Sequence, residues 1–167
     1  MKKAIIPAAI LVLLLIIGLS MLFILSVDSM HAELSVPLVE DLEFRISPEE
    51  TAQLFGQAYE TVPNYMDTGK TLYRYTASVM GQNARIGCCF LDDRRLVDIW
   101  FQWDQDIDQI YNRVYDCLHT HYSSHKDFFM ETGENSITLG TDNGVTGLRY
   151  RITKNSDSVV VSCMDHS

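Results

Sequence analysis

Missing from these 167 residues are most of the short motifs that announce a chemistry. No G-x-S-x-G nucleophile elbow, Walker-type phosphate loop or G-x-G-x-x-G turn occurs, so the local signatures of serine hydrolases and nucleotide-binding folds are lacking. No Cys-x-x-Cys pair is present to seed a thiolate zinc site. No cysteine lies near the end of the N-terminal apolar run, so a lipid-modified cysteine terminus is not available. The chain also lacks an N-x-S/T glycosylation acceptor, which together with the short Met1-Lys2-Lys3 opening suggests a bacterial protein. Basic residues are scarce. Setting Lys2 and Lys3 aside leaves 11 basic against 22 acidic groups after the apolar run, a charge of about −11 on the remaining domain. Phosphate backbones repel such a surface, which argues against nucleic-acid binding, while basic protein partners or cations suit it.

What the sequence does have is one long uncharged stretch. Residues 4–27 carry no charge and are built from Ile, Leu, Val, Ala, Met and Phe, with Gly18 and Ser20 as mild interruptions. As a helix they reach roughly 36 Å, enough to cross a hydrocarbon core of about 30 Å. Pro7 falls in the first turn, where proline is tolerated. Lys2 and Lys3 hold the N-terminus in the cytoplasm and direct the rest of the chain outward. A cleaved signal peptide normally has a shorter apolar core, so retention as a single-pass signal-anchor is expected; cutting near Ser29 would instead secrete the domain. Residues 1–27 are thus read as cytoplasmic lysines plus a transmembrane helix, 28–46 as a linker that ends in a short edge strand, and 47–167 as an extracytoplasmic domain.

Within that domain the clearest signal is Ser47-Pro48-Glu49-Glu50, which offers an N-cap, a first-position proline and a reciprocal capping-box acid. Phe55, Ala58, Tyr59 and Val62 share one face of the helix it opens, and Pro63 stops it. Strand patterns follow at 71–79, 84–91 and 96–103, with turns at Gly81-Gln82-Asn83 and Asp92-Asp93-Arg94. In the third of these, Val97, Ile99, Phe101 and Trp103 alternate with Asp98, Trp100 and Gln102, so one side faces the core and Trp100 lies on the polar side. A second helix over 106–122 is indicated by Ile107, Ile110, Tyr111, Val114 and Leu118. Four further strands are read at 128–131, 136–140, 147–153 and 158–164. The fold class is therefore α+β: an antiparallel sheet with two helices on one face, in the order helix, three strands, helix, about four strands. The layout repeats a helix-then-meander unit without any repeat of residues.

Four groups of side chains are candidates for function. Cys88, Cys117 and Cys163 are placed to meet in the core, as reduced small hydrophobes or, in an oxidising compartment, with one disulfide among them. His119, His121 and His125 form an H-x-H-x-x-x-H string in which the last two share a helix face, a weak metal-site candidate because the glutamate of H-E-x-x-H is missing. Asp104, Asp106 and Asp108 open like a calcium loop, but Tyr115 stands where the bidentate glutamate is required. Tyr73, Tyr75 and Trp100 with Arg74 and Arg151 compose an aromatic and arginine set of the kind that carries protein interfaces.

No cofactor is expected, and the leading expectation is a non-catalytic, membrane-anchored interaction or accessory domain. The layout is similar to that of small anchored envelope proteins of Gram-positive bacteria, including membrane-held immunity proteins. That resemblance implies an inhibitor that covers a secreted toxin with a sheet face. It extends to layout and to no motif. An enzyme using Asp92, Asp93 and Asp98 or the histidine string, and a small-ligand or ion sensor, are the alternatives from other classes.

Overall fold

The computed structural model describes residues 35–91, 95–142 and 147–165. The expected transmembrane segment, the Asp92-Asp93-Arg94 turn and part of the Asp142-Asn143-Gly144 turn lie outside these residues. Among the described residues no helix is long and apolar enough to cross a membrane.

The capping box opens helix α1 (Pro48–Phe55) as its chemistry requires. Ser47 Oγ accepts the Glu50 N–H at 3.2 Å, and Glu50 Oε2 accepts the Ser47 N–H at 2.8 Å. Hydrogen bonds from the Ser47 backbone N–H and hydroxyl hold the Glu50 carboxyl below its usual pKa. The helix ends at Gly56, whose φ of 82° lies where side chains bearing Cβ are strained. It is therefore shorter than the run to Pro63 suggested. Tyr59 is exposed, and residues 60–65 form a strand rather than a helical turn. A polar six-residue stretch containing proline has little strand character of its own, and pairing with the next strand supplies what it lacks.

Eight strands follow the order expected, with this one added: β1 (Glu60–Tyr65), β2 (Lys70–Val79), β3 (Gln82–Phe90), β4 (Leu96–Trp103), then helix α2 (Ile107–Tyr122), then β5 (Phe128–Thr132), β6 (Ser136–Asp142), β7 (Gly147–Lys154) and β8 (Val159–Asp165). All neighbours are antiparallel, and the sheet order is β1-β2-β3-β4-β8-β7-β6-β5. Each half is a helix followed by a four-stranded meander, and the halves join where β4 meets β8. The β2–β3 turn is tighter than expected: Met80 and Gly81, both with positive φ, form a two-residue hairpin whose twist suits the flanking strands, and Gln82 already pairs with Val79.

One face of the sheet carries the core. Tyr75, Ile86, Phe101, Val161, Ile152 and Ile137 line up strand by strand and pack with Ile110, Val114, Leu118 and Tyr122 of α2, with α1 adding Leu54 and Phe55. Residues 35–46 belong to this core rather than to a linker. Val36, Leu38, Leu42 and Phe44 are buried, the arm closes on itself through a Ser35–Glu43 bridge, and Arg45 and Ile46 bond the backbone of Leu96. The arm starts at a buried polar junction. The Tyr122 and Tyr150 hydroxyls stand 3.1 Å apart, and both reach the Ser35 carbonyl, at 3.2 and 3.3 Å. Burial pushes both hydroxyls to a higher pKa, so they remain protonated donors.

The four cysteines are free thiols. Cys88 and Cys163 flank Ile99 on the core face, two strands apart, and strand spacing alone sets them about 10 Å from each other, beyond disulfide reach. Cys117 is engaged elsewhere, with its thiol directed at the Pro37 carbonyl at 3.4 Å. Cys88 and Cys163 therefore do not pair with each other, and both are buried among apolar side chains of the core. Burial raises the pKa of all four, that of Cys89 to about 11.

Candidate interaction face

Among the described residues no layer of secondary structure covers the sheet face opposite the helices, and cross-strand pairing arranges its side chains in rows. The central row runs from Glu60 on β1 through Arg74, Gly87, Trp100, Ser162, Arg151 and Thr138 to Glu131 on β5. Trp100, Arg74 and Arg151 thus fall in one row, as expected of an interface set. Tyr73 and Tyr75 do not. Successive strand residues point to opposite faces, so flanking Arg74 places both tyrosines on the core side. Tyr75 is buried against Phe55, with ring centroids 5.6 Å apart, and Tyr73 sits edge-on to Phe90 at 5.4 Å.

At the middle of the row the Trp100 indole lies flat over Gly87. A Cβ built on Gly87 would approach ring atoms Cε2, Nε1 and Cζ2 to less than 3.0 Å, so only glycine admits the ring in this position. In the next outward row, Cys89, two residues along β3 from Gly87, and its partner Leu72 are buried yet lie outside the main core cluster. They form a small second cluster on the outward face. The Lys70–Asp98 ion pair spans the strand that carries Cys89. A glycine inside a strand signals close approach of another group, and that signal was available in the sequence for Gly87.

Charges on this face are mostly matched. Arg74 meets Glu60 at 2.6 Å, Arg85 meets Asp104 at 2.8 Å, and Arg149 meets Asp142 at 3.3 Å while its guanidinium also lies 5.2 Å from the Phe129 ring centre. Arg151 is exposed and, among the described residues, pairs with no carboxylate. Five basic residues (Lys70, Arg74, Arg85, Arg149, Arg151) share the face with four acids on its strands (Glu60, Asp98, Asp142, Glu131). The acidic surplus of the domain lies elsewhere.

The histidine string is split by the helix. An offset of two residues turns the side chain about 200° around the axis. His119 stacks on Tyr115 at 5.5 Å and meets the Phe128 edge at 5.8 Å, while His121 faces Tyr122 at 4.6 Å and His125 at 6.1 Å. Among the described residues no group of three His, Cys, Asp or Glu side chains is arranged to hold a metal. The Nε2 of His121 is buried without a hydrogen-bond partner, and burial together with neighbouring His125 lowers its pKa. Of the acids weighed for catalysis, Asp98 is tied to Lys70, and Asp92 and Asp93 lie outside the described residues. A cavity of about 270 Å³ is lined by none of these acids but by Tyr111, Lys154 and the β5–β6 turn. No family model, curated protein or solved structure matches this chain.

Proposed function

We propose that this chain is a membrane-anchored protein-interaction domain displayed outside the cytoplasm, and that the outward sheet face centred on Trp100 receives the partner. The observation that carries the reading is the indole held flat on Gly87, in one row with Arg74 and Arg151. Aromatic and arginine side chains at the centre of a patch are the residues that most often supply binding energy. The matched ion pairs around them fix the surface before any partner arrives, which lowers the ordering cost of association. Unpaired Arg151 favours a partner that is neutral or acidic at the point of contact, rather than the basic one that overall charge suggests. The 24 uncharged residues at 4–27, preceded by two lysines, supply the anchor and its orientation.

The test is site-specific photocrosslinking of the full chain in its native membrane, with the photoreactive residue at Thr138 on the outward face or at Asn112, an exposed position on α2. A discrete adduct from Thr138, absent from Asn112 and lost on Trp100→Ala, is the expected result. Equal adducts from both positions, or an adduct indifferent to Trp100→Ala, would refute the assignment of this face. Protease added to intact cells should remove the domain, and protection from it would refute the topology.

A further inference from the structure

The two edges of the sheet are built differently. At the β1 edge, Pro63 removes a backbone donor, pairing with β2 slips between Val62 and Tyr65, and Asn64, Met66 and Asp67 have positive φ. Such features discourage another strand from adding there. The β5 edge has none of them, since Phe128 to Thr132 pair with β6 in unbroken register.

Hydrogen-bond alternation shows which backbone groups β5 offers. The Asp142 N–H bonds the Asp127 carbonyl at 3.1 Å and the Gly133 N–H bonds the Ser136 carbonyl at 2.7 Å, so odd-numbered residues along β5 face β6. Even-numbered residues therefore point outward. The Phe128 N–H is taken by the His125 carbonyl at 3.2 Å. Met130 and Thr132 remain, each presenting an N–H and a carbonyl, two residues apart, to a side on which no strand lies among the described residues.

An apolar patch lies beside this edge on the helix side. Helix α2 packs chiefly over β6, β7 and β8 and meets β5 through single side chains. Tyr111, Tyr115 and His119, at i, i+4 and i+8, form its helix part, all half-buried. Phe128 and Met130 complete it: Phe128 meets His119, the Tyr115 hydroxyl reaches Met130 Sδ at 3.9 Å, and Met130 is 45% exposed. The cavity of about 270 Å³ at Tyr111, Thr132 and Ile137 adjoins the patch through Tyr111.

We infer that this edge is a second binding site, at which an extended segment of a partner protein adds to β5 as a ninth strand. Its alternate apolar side chains lie on the Tyr115–Met130 patch and in the cavity. Paired outward N–H and carbonyl groups two residues apart demand extended backbone, and the patch favours apolar side chains at every second position. Exposed Asp127, Glu131 and Glu134 along the edge suit lysine or threonine between them. A second copy of the chain fits less well, because each domain carries about −11.

The probes are fluorescein-labelled peptides of about ten residues in which Val, Leu or Phe alternates with Lys or Thr, titrated by anisotropy to about 1 mM against the full chain in detergent. Met130→Pro removes only the outward N–H and leaves the inward pairs of Phe129 and Glu131, so β5 stays in the sheet. Binding should weaken about tenfold or more in Met130→Pro and on N-methylating the peptide residues that face β5, with no change on N-methylating the alternate residues. Trp100→Ala should leave peptide binding intact, which separates this site from the outward face. The inference is overturned if no probe binds by about 1 mM, or if N-methylation of either phase has the same effect on the wild-type chain. It is also overturned if sedimentation shows self-association that Met130→Pro abolishes, because β5 would then belong to a second copy.

Discussion

Substituting Gly87 by alanine tests whether the indole is seated as described. No positive φ is recorded at Gly87, so the backbone accepts alanine and the whole penalty arises from the ring atoms that a Cβ would meet at less than 3.0 Å. The neighbouring strands fix the backbone, so the ring must lift. Crowding of this kind costs about 1–3 kcal/mol in packed sites, and the low end is expected because Trp100 can swing toward solvent. With a urea dependence of about 1–3 kcal/mol per molar, the unfolding midpoint should fall by roughly half a molar to one molar. Emission provides a second readout. Trp103 is buried with its Nε1 on the Val79 carbonyl, so the fraction quenched by acrylamide reports on Trp100 and should rise in Gly87→Ala. In a Trp100→Ala background the collision is gone, and Gly87→Ala should be neutral or stabilising by about 0.4–1 kcal/mol through loss of unfolded-state freedom. Equal destabilisation in both backgrounds, or unchanged quenching, would refute the seating of the indole.

Three further outcomes are expected. Ser47→Ala removes one bond of the capping box and should cost about 1 kcal/mol by chemical denaturation, with Ser47→Asp largely restoring it. Because the folded pKa of His121 lies below its ordinary 6.5, the unfolded chain binds a proton first; the associated stability is full above about pH 6.5 and declines as pH falls through the folded value. Melting temperature should therefore drop between pH 7 and pH 5.5 more in the wild type than in His121→Asn, and parallel curves would contradict it. Buried Cys88, Cys89 and Cys163 should resist a thiol reagent until the domain unfolds, while half-buried Cys117 reacts slowly in the folded domain, since burial raises each thiol pKa and suppresses the reactive thiolate.

Much of this architecture could be read from residue order. Strands β2 to β4 and β6 to β8 follow alternation that one buried face imposes, and the α2 stripe of Ile110, Val114 and Leu118 follows helical period. The first strand escaped because its register comes from β2, while its own residues, proline included, favour no strand. The arm at 35–46 escaped because Val36, Leu38, Leu42 and Phe44 are spaced by an irregular loop rather than by a regular element. Arg74, Trp100 and Arg151 share the outward face because their two-residue period matches it, whereas the same alternation turns Tyr73 and Tyr75 to the core side whatever their aromatic character. The free edge of β5 was not legible at all, because which strand ends a sheet is settled by pairings between residues far apart in the chain.

The seam between β4 and β8 bears on how the chain is made. During synthesis, β4 emerges with Ile99 and Phe101 on its core face and waits through one helix and three strands for its partner. Until β8 arrives, the centre of the finished sheet is two unsealed borders of half-built sheets. A nonsense codon ahead of Val159 would thus not trim a margin but open the protein down its middle, exposing the flank of β4 to any neighbouring nascent chain.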